Sequence, residues 1–146
     1  MRTYFPKAGD VSLGWKLLDG ENVVLGRLAT VAAHILMGKD KAEYSPFLPM
    51  GDGVIVVNAE KIKFTGKRMT GKKYYRYSGY PGGMKEESLE SLFARSPEKV
   101  VELAVFGMLP KNKLGKQLRT RLKVYRGATH PHTAQAPEAV KLPTRY

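Results

Sequence analysis

The chain has no cysteine among its 146 residues. Disulfide bonds, thiolate nucleophiles and cysteine-ligated zinc sites are therefore excluded. Long apolar runs are also missing, since the longest uncharged apolar stretch, residues 28–38, is far shorter than the ~20 residues of a membrane-spanning helix. The N-terminus has one early arginine but no apolar core of a signal peptide. We therefore expect a protein with neither a signal peptide nor a membrane partner, and a cytoplasmic location.

Acidic residues are scarce, with 13 Asp and Glu against 25 Lys and Arg, a net charge of +12 and an isoelectric point near 9.9. Two long segments, 61–85 and 103–137, contain no acidic residue. The first holds eight Lys or Arg, and seven more lie between Lys111 and Arg126. A surface this basic repels itself unless a polyanion lies nearby. The composition therefore favours a nucleic-acid partner bound by one or two basic faces.

The hydrophobic patterns predict a single α/β domain over residues 15–127, with an N-terminal arm over 1–14 and an extended tail over 128–146. Strand patterns occur at 15–18, 53–57, 73–77 and 123–125, and the run at 53–57 is typical of a parallel strand buried on both faces. Apolar residues at helical spacing predict a helix over 28–36 that ends at Gly38, helices beginning near 88 and 96, and a leucine-faced helix through 114, 118 and 122. The first helix joins two parallel strands in a βαβ unit.

One short segment nearly matches a nucleotide-binding loop. Residues 66–73 fit the pattern G-x-x-x-x-G-K-[ST] except at the last position, where Lys73 replaces the hydroxyl that would contact Mg²⁺. No apolar strand precedes Gly66, and the sequence that follows is strand-like rather than helical. Both contextual requirements fail, so Gly66 and Gly71 are better interpreted as turn residues of a basic hairpin. A nucleotide-dependent enzyme remains an alternative hypothesis.

Other catalytic and metal-binding arrangements have little support. His130 and His132 are the only close histidine pair, and no acidic residue between 103 and 137 is available to orient them. The sequence has no nucleophile-elbow pattern, and the carboxylates of Glu86 and Glu87 fall at a predicted helix start, where the helix dipole explains them. We expect no enzyme activity, no metal, no cofactor and no small-molecule substrate.

Basic residues interleaved with tyrosine and glycine remain, and they carry the functional prediction. In GKKYYRYSGYPGG (71–83) the cations can meet phosphates, while the tyrosines offer ring faces to unpaired bases. The glycines allow close approach of the backbone to a phosphate chain. In 107–126 the leucines leave the cations only the exposed faces of a helix. Core packing is the alternative for each tyrosine.

Several strings resemble the bacterial form of the large-subunit ribosomal protein L13 family. They are GRLA (26–29), GKDK (38–41), VVNAEKI (56–62), GKKYYRYSGYPGG (71–83), GMLPKNKLGKQ (107–117), LKVYRGATHPH (122–132) and AQAPE (134–138). The similarity extends from about Trp15 to Glu138, and GMLPKNKLG and SGYPGG are its most specific parts. The sequence departs from the family at Tyr77 and Phe47, where histidine is common, so the resemblance predicts no imidazole contact there. The N-terminal arm, with Arg2, Phe5 and Lys7, is longer than usual in the family.

The resemblance implies a three-layer α/β/α domain around a small, mainly parallel four-stranded sheet. It also implies a structural protein of the large ribosomal subunit that binds large-subunit rRNA, contacts neighbouring ribosomal proteins and supports early subunit assembly. A regulator that binds messenger RNA outside the ribosome is the alternative that composition does not separate from it. The predicted rRNA-binding residues are Lys67, Arg68, Lys72, Lys73, Tyr74, Tyr75, Arg76, Tyr80, Gly82, Lys111, Asn112, Lys113, Lys116, Arg119, Arg121, Lys123, Arg126, His130 and His132.

Overall fold

Helices and strands are interspersed along the chain in the computed structural model, which describes residues 5–7, 9 and 11–142. The elements are β1 (Trp15–Asp19), α1 (Leu25–Met37), β2 (Gly53–Val57), α2 (Arg68–Gly71), β3 (Lys73–Tyr77), β4 (Met84–Ser88), α3 (Leu89–Arg95), α4 (Pro97–Met108), α5 (Lys113–Thr120), β5 (Leu122–Val124) and β6 (Glu138–Ala139). The outermost parts of the predicted arm and tail, residues 1–4 and 143–146, lie outside the described residues, as do residues 8 and 10. No described helix is long and apolar enough to cross a membrane.

Four parallel strands form the main sheet in the order β5-β2-β1-β6. In this register Leu17 of β1 lies opposite both Ile55 of β2 and Ala139 of β6. All of β2 is buried, as its β-branched run predicts for a central parallel strand. The α/β class and the mainly parallel four-stranded sheet are thus confirmed, while the three-layer arrangement stays a prediction.

The main core lies between α1, α4 and one face of this sheet. Val54 and Val56 belong to the same buried cluster as Leu28 of α1 and Val101 of α4, whereas the equally buried Ile55 does not. Since side chains alternate along a strand, Ile55 faces the opposite side of the sheet. Burying this cluster ties the βαβ unit to the later helices and gives the exposed segments a rigid base.

The first helix ends where the sequence predicts. Gly38 adopts a left-handed conformation (φ 76°), and its amide hydrogen donates to the carbonyls of His34 and Ile35. Beside this cap, Gly51 packs on the backbone at the C-terminal end of α1, where a Cβ atom would overlap the Leu36 carbonyl. The loop before β2 is therefore held close to the helix end.

Two predictions about the elements that follow α4 are wrong. Leu122 does not continue the helix that carries Leu114 and Leu118, because α5 ends at Thr120 and Leu122 pairs with Val54 in the sheet. The segment after Gly127 is not wholly extended tail: it contains a 3₁₀ turn at Thr133–Gln135 and the edge strand β6.

Candidate nucleic-acid interface

The strands β3 and β4 form an antiparallel hairpin outside the main sheet. The period of two divides the hairpin into two faces. On one face Tyr74 is half-buried and packs with the cluster of Leu89, Leu92 and Phe93. This burial raises the pKa of the Tyr74 hydroxyl above its ordinary value. Tyr74 therefore supports the hairpin by packing on this cluster.

The other face of the hairpin carries exposed apolar and aromatic side chains. Tyr75 and Tyr77 are each 61% exposed, and Met84, opposite Tyr77, is 57% exposed. On the same face Lys73 and Glu86 form an ion pair at 2.9 Å. Lys73, one of the predicted phosphate contacts, is thus already paired with a carboxylate. Arg76 and Lys85 lie opposite each other on the Tyr74 face.

The hairpin tip is shaped by its glycines. Gly79 and Gly82 have positive φ angles of 91° and 71°, which glycine adopts without strain. The amide hydrogen of Ser78 donates to the Gly83 carbonyl at 3.1 Å, and that of Gly83 donates to the Tyr80 carbonyl at 2.9 Å. The tip projects Tyr80, which is 75% exposed. The role of Gly82 that the structure supports is therefore to form the turn at the hairpin tip.

The segment that nearly matches a nucleotide-binding loop forms a single helical turn, α2, not a strand of a hairpin. Amide hydrogens of Gly71 and Lys72 donate to the carbonyls of Lys67 and Arg68 at 2.9 and 3.0 Å. The strand β3 follows at once, so no helix begins at Lys73 to direct its amides at phosphates. Lys67, Arg68 and Lys72 are exposed, and no carboxylate within residues 11–142 pairs with them. The Lys72 ammonium lies 5.6 Å from the centroid of the Tyr74 ring.

A second group of cations surrounds the start of α5. The Asn112 side chain accepts a hydrogen bond from the Gly115 amide at 2.8 Å and so caps the helix. This capping role engages the amide oxygen of a predicted RNA contact. Lys111, Lys113 and Lys116 are exposed, and they too have no carboxylate partner in the described chain.

The next two arginines of this group make intramolecular contacts of different kinds. The guanidinium of Arg119 lies 4.6 Å from the centre of the Phe106 ring and stays exposed. Arg121 is half-buried, and its Nη1 donates to the carbonyls of Pro49 and Gly51 at 2.9 and 2.8 Å. Burial lowers the pKa of Arg121 from its ordinary value. Arg121 fixes the loop before β2, which is a structural use that its sequence context did not show.

The remaining predicted contacts lie along the sheet edge and the following segment. Lys123 is exposed on β5, and Arg126 donates to the Glu60 carboxylate at 3.2 Å. His132 is stacked on Trp15 at 5.8 Å between ring centres, and its Nε2 is 2.6 Å from the Tyr125 hydroxyl. Its backbone amide donates to His130 Nδ1 at 3.3 Å. The imidazole of His132 thus covers Trp15, and no group of three metal-ligating residues occurs in the described segments.

The structure therefore divides the predicted residues by their local environment. Near α2 and around the start of α5, exposed cations form no ion pair with a carboxylate of the described segments. Arg121, Asn112 and His132 instead contact other parts of the fold. Exposed candidate residues outside the predicted rRNA-binding set are Tyr77 and Lys63. Tyr77 lies two residues from Tyr75 on one strand, so strand periodicity was a signal that would have found it.

The comparisons with known proteins agree with the sequence motifs. The family model described as Ribosomal protein L13 matches residues 14–131. A protein of Koribacter versatilis named large ribosomal subunit protein uL13 is 56% identical over 140 residues, covering 96% of this chain and 98% of its own. Proteins of the same name from Streptomyces griseus and Maridesulfovibrio salexigens are 53% identical over 137 residues and 52% over 141. These cover 94% and 97% of this chain, and 93% and 99% of their own lengths.

Proposed function

Since the chain belongs to the ribosomal protein L13 family, we propose that it binds large-subunit rRNA through its two exposed basic groups and supports early assembly of the subunit. It is a structural component of the large ribosomal subunit, not an enzyme, and it acts in the cytoplasm within the ribosome. Its partners are the rRNA and neighbouring ribosomal proteins. The messenger-RNA-binding regulator has no specific observation in its favour.

The observation that supports the proposed rRNA contacts is a set of exposed cations that form no ion pair with a carboxylate in the described part of the chain. Lys67, Arg68 and Lys72 lie beside the hairpin, and Lys111, Lys113 and Lys116 surround the start of α5. The nearby carboxylates that form ion pairs engage other cations: Glu21 pairs with Lys61 at 3.0 Å and Glu86 pairs with Lys73 at 2.9 Å. Phosphates are the ligands that such fixed, unneutralised cations attract.

Binding to a large-subunit rRNA fragment should weaken steeply as salt rises. We expect log K to fall by about 0.9 per duplex phosphate and about 0.7 per single-strand phosphate that the protein neutralises. Titrations between roughly 50 and 200 mM salt measure this slope. An affinity that stays constant over that range would overturn the proposal.

Single substitutions test the residues. Lys113→Ala and Arg119→Ala should each weaken rRNA binding and lower the salt slope by about 0.7–0.9, while thermal stability stays nearly unchanged. Lys61→Ala is the matched control, because Glu21 already neutralises this exposed lysine. A large loss of stability with unchanged affinity would assign Lys113 or Arg119 a structural role instead.

A further inference from the structure

An open cleft of about 980 Å³ lies between the segment that leads into the hairpin and the helices α1 and α4. Its apolar floor includes Phe64, Leu103 and Met108. Leu103 and Met108 are 46% and 43% exposed, although both are large apolar residues of α4. Partly exposed apolar side chains gathered in a concave site are typical of a surface that binds a ligand.

Cations line the same cleft, and we call them its rim. The cleft is lined by Arg27, Lys63, Lys67, Arg68 and Lys72, and no acidic side chain of the described chain lines it. Lys63, Lys67 and Lys72 come from the first acid-free segment, and their side chains have no described carboxylate partner. The charge complementarity therefore requires an anionic occupant that also has an apolar surface to bury.

We propose that this cleft binds an unpaired, single-stranded segment of RNA, with a base on the apolar floor and the flanking phosphates on the cationic rim. The inference rests on the proposed rRNA binding and specifies which form of RNA occupies the site. A duplex would use the rim but not the floor, because its bases are stacked inside and its phosphates and sugars face outward. An unstacked base offers the flat apolar surface that side chains such as Phe64 and Met108 can contact.

Met108 extends the path of this strand. Its sulfur lies 3.7 Å from the Thr30 hydroxyl, and its side chain also lines a second cleft of about 440 Å³ beside Pro110 and Asn112. Lys111 and Lys113 flank this second cleft along the chain. Met108 is thus common to both clefts, so an RNA strand that leaves the first cleft over Met108 would enter the second.

The double variant Leu103→Ala/Met108→Ala tests the floor. We expect its affinity for a single-stranded oligouridylate of about ten nucleotides to fall about tenfold, with an unchanged salt slope because no charge is removed. Its affinity for a large-subunit rRNA fragment should fall similarly, and its affinity for a duplex of the same length should not change. Leu13→Ala, at a leucine that is 52% exposed and does not line the cleft, is the matched control.

The rim is tested by charge. Lys63→Ala/Lys67→Ala should lower the salt slope for the oligouridylate by about 1.4, twice the single-strand value of about 0.7. Lys141→Ala, at an exposed lysine that does not line the cleft, should leave the salt slope unchanged.

If the double floor variant binds both the rRNA fragment and the oligouridylate as tightly as the unchanged protein, the inference is wrong and the cleft is free for a protein neighbour. If the unchanged protein shows no salt-dependent binding to the rRNA fragment, the proposed function itself fails.

Discussion

At the residue scale, two glycines of the segment GMLPKNKLG differ in the space available for a side chain. A Cβ atom at Gly115 would overlap the Pro110 carbonyl, whereas a Cβ atom at Gly107 would meet nothing within 4 Å. The chain turns from Pro110 into α5 so tightly that only glycine fits at Gly115, where its amide also donates to the capping Asn112. Gly107 lies inside α4 without such a constraint.

We expect Gly115→Ala to lower the free energy of unfolding by about 1–3 kcal/mol, because the overlap forces the backbone to shift. Gly107→Ala should instead raise it by roughly 0.5–1 kcal/mol, because alanine restricts the unfolded chain and favours the helix. Urea unfolding of both variants measures the difference. Equal stability of Gly115→Ala and the unchanged protein would show that the close contact with Pro110 does not exist.

Asp52 is a buried carboxylate whose charge contributes to stability. Only 5% of the residue is exposed, and its Oδ1 accepts hydrogen bonds from the Lys41 ammonium at 2.6 Å and the Gly14 amide at 2.9 Å. Burial alone would raise the pKa of Asp52, but the Lys41 ammonium and the Gly14 amide together hold it below the ordinary 3.8. In the acid range the unfolded chain therefore binds a proton more readily than the folded one, and stability rises with pH there.

The stabilisation from Asp52 should be complete above the unfolded-state pKa of 3.8 and disappear as pH falls through the lower folded-state value. We expect Asp52→Asn to cost about 1.5–3 kcal/mol at neutral pH and to remove this part of the acid dependence. Urea unfolding at several pH values measures both effects. Glu90→Gln, at an exposed carboxylate of α3, is the control, and an equal acid dependence in Asp52→Asn and the unchanged protein would contradict the assignment.

At the scale of elements, the hairpin of β3 and β4 combines an internal ion pair with exposed aromatic rings. The Lys73–Glu86 pair lies on the same face as Tyr75 and Tyr77. The hydrogen bond from Lys73 to Glu86 raises the pKa of the lysine, so its charge is retained but already countered. Removal of the Glu86 charge would leave this face cationic without changing its rings.

Glu86→Gln should therefore strengthen rRNA binding up to about fivefold and raise the salt slope by up to about 0.9, if this face contacts phosphates. Titrations at several salt concentrations measure the change. Glu98→Gln, at an acidic residue in the first turn of α4, is the matched control. An unchanged slope in Glu86→Gln would place the aromatic face of the hairpin outside the phosphate contacts.

Local signals explain which elements the sequence predicts well. The β-branched run of β2, the apolar spacing of α1 and the glycine that ends α1 each carry their own information, and each is confirmed. The four-residue spacing of Leu114, Leu118 and Leu122 predicts a helix through Leu122, but the pairing of Leu122 with Val54 overrides that pattern. The strand β6 has no local strand signal, because its pairing depends on the open edge of β1.

The candidate site follows the same rule. The two basic segments can be predicted from the sequence, because the absence of acidic residues in them is a property of composition alone. It did not separate Lys113, which is exposed, from Arg121, whose guanidinium binds the carbonyls of Pro49 and Gly51. Nor did it show that the His132 ring covers Trp15. The partner of a polar side chain is set by residues distant in sequence, and only the fold brings them together.

At the scale of the whole molecule, charge is segregated. Acidic side chains pair with cations at Lys61, Arg95 and Arg126, each at 2.9–3.2 Å. The cations of α2 and of the start of α5 are left without such partners in the described chain. The net charge of +12 is thus concentrated on particular surfaces, which orients the protein toward a polyanion.

The C-terminal segment completes the main sheet. In β6, Glu138 and Ala139 pair with Lys16 and Leu17 of β1, and Lys16 forms an ion pair with Glu138 at 2.5 Å. The Val140 amide hydrogen donates to the Leu17 carbonyl at 2.9 Å. Val140 and Leu142 also pack against the main core. Without this segment, one edge of β1 would be open to water or to another chain.

We therefore expect removal of residues 137–146 to lower the free energy of unfolding by about 2–4 kcal/mol, from lost apolar burial and lost strand pairing. The shortened protein should also aggregate more readily, because its exposed β1 edge can pair with a second molecule. Urea unfolding and light scattering measure the two effects, and the full-length variant Glu138→Gln separates the ion pair, worth about 0–1 kcal/mol at an exposed position, from the strand. Affinity for rRNA should persist in the folded fraction, since every proposed contact precedes residue 137. A shortened protein as stable and as soluble as the full chain would mean that the segment is a peripheral tail, as the sequence alone predicts.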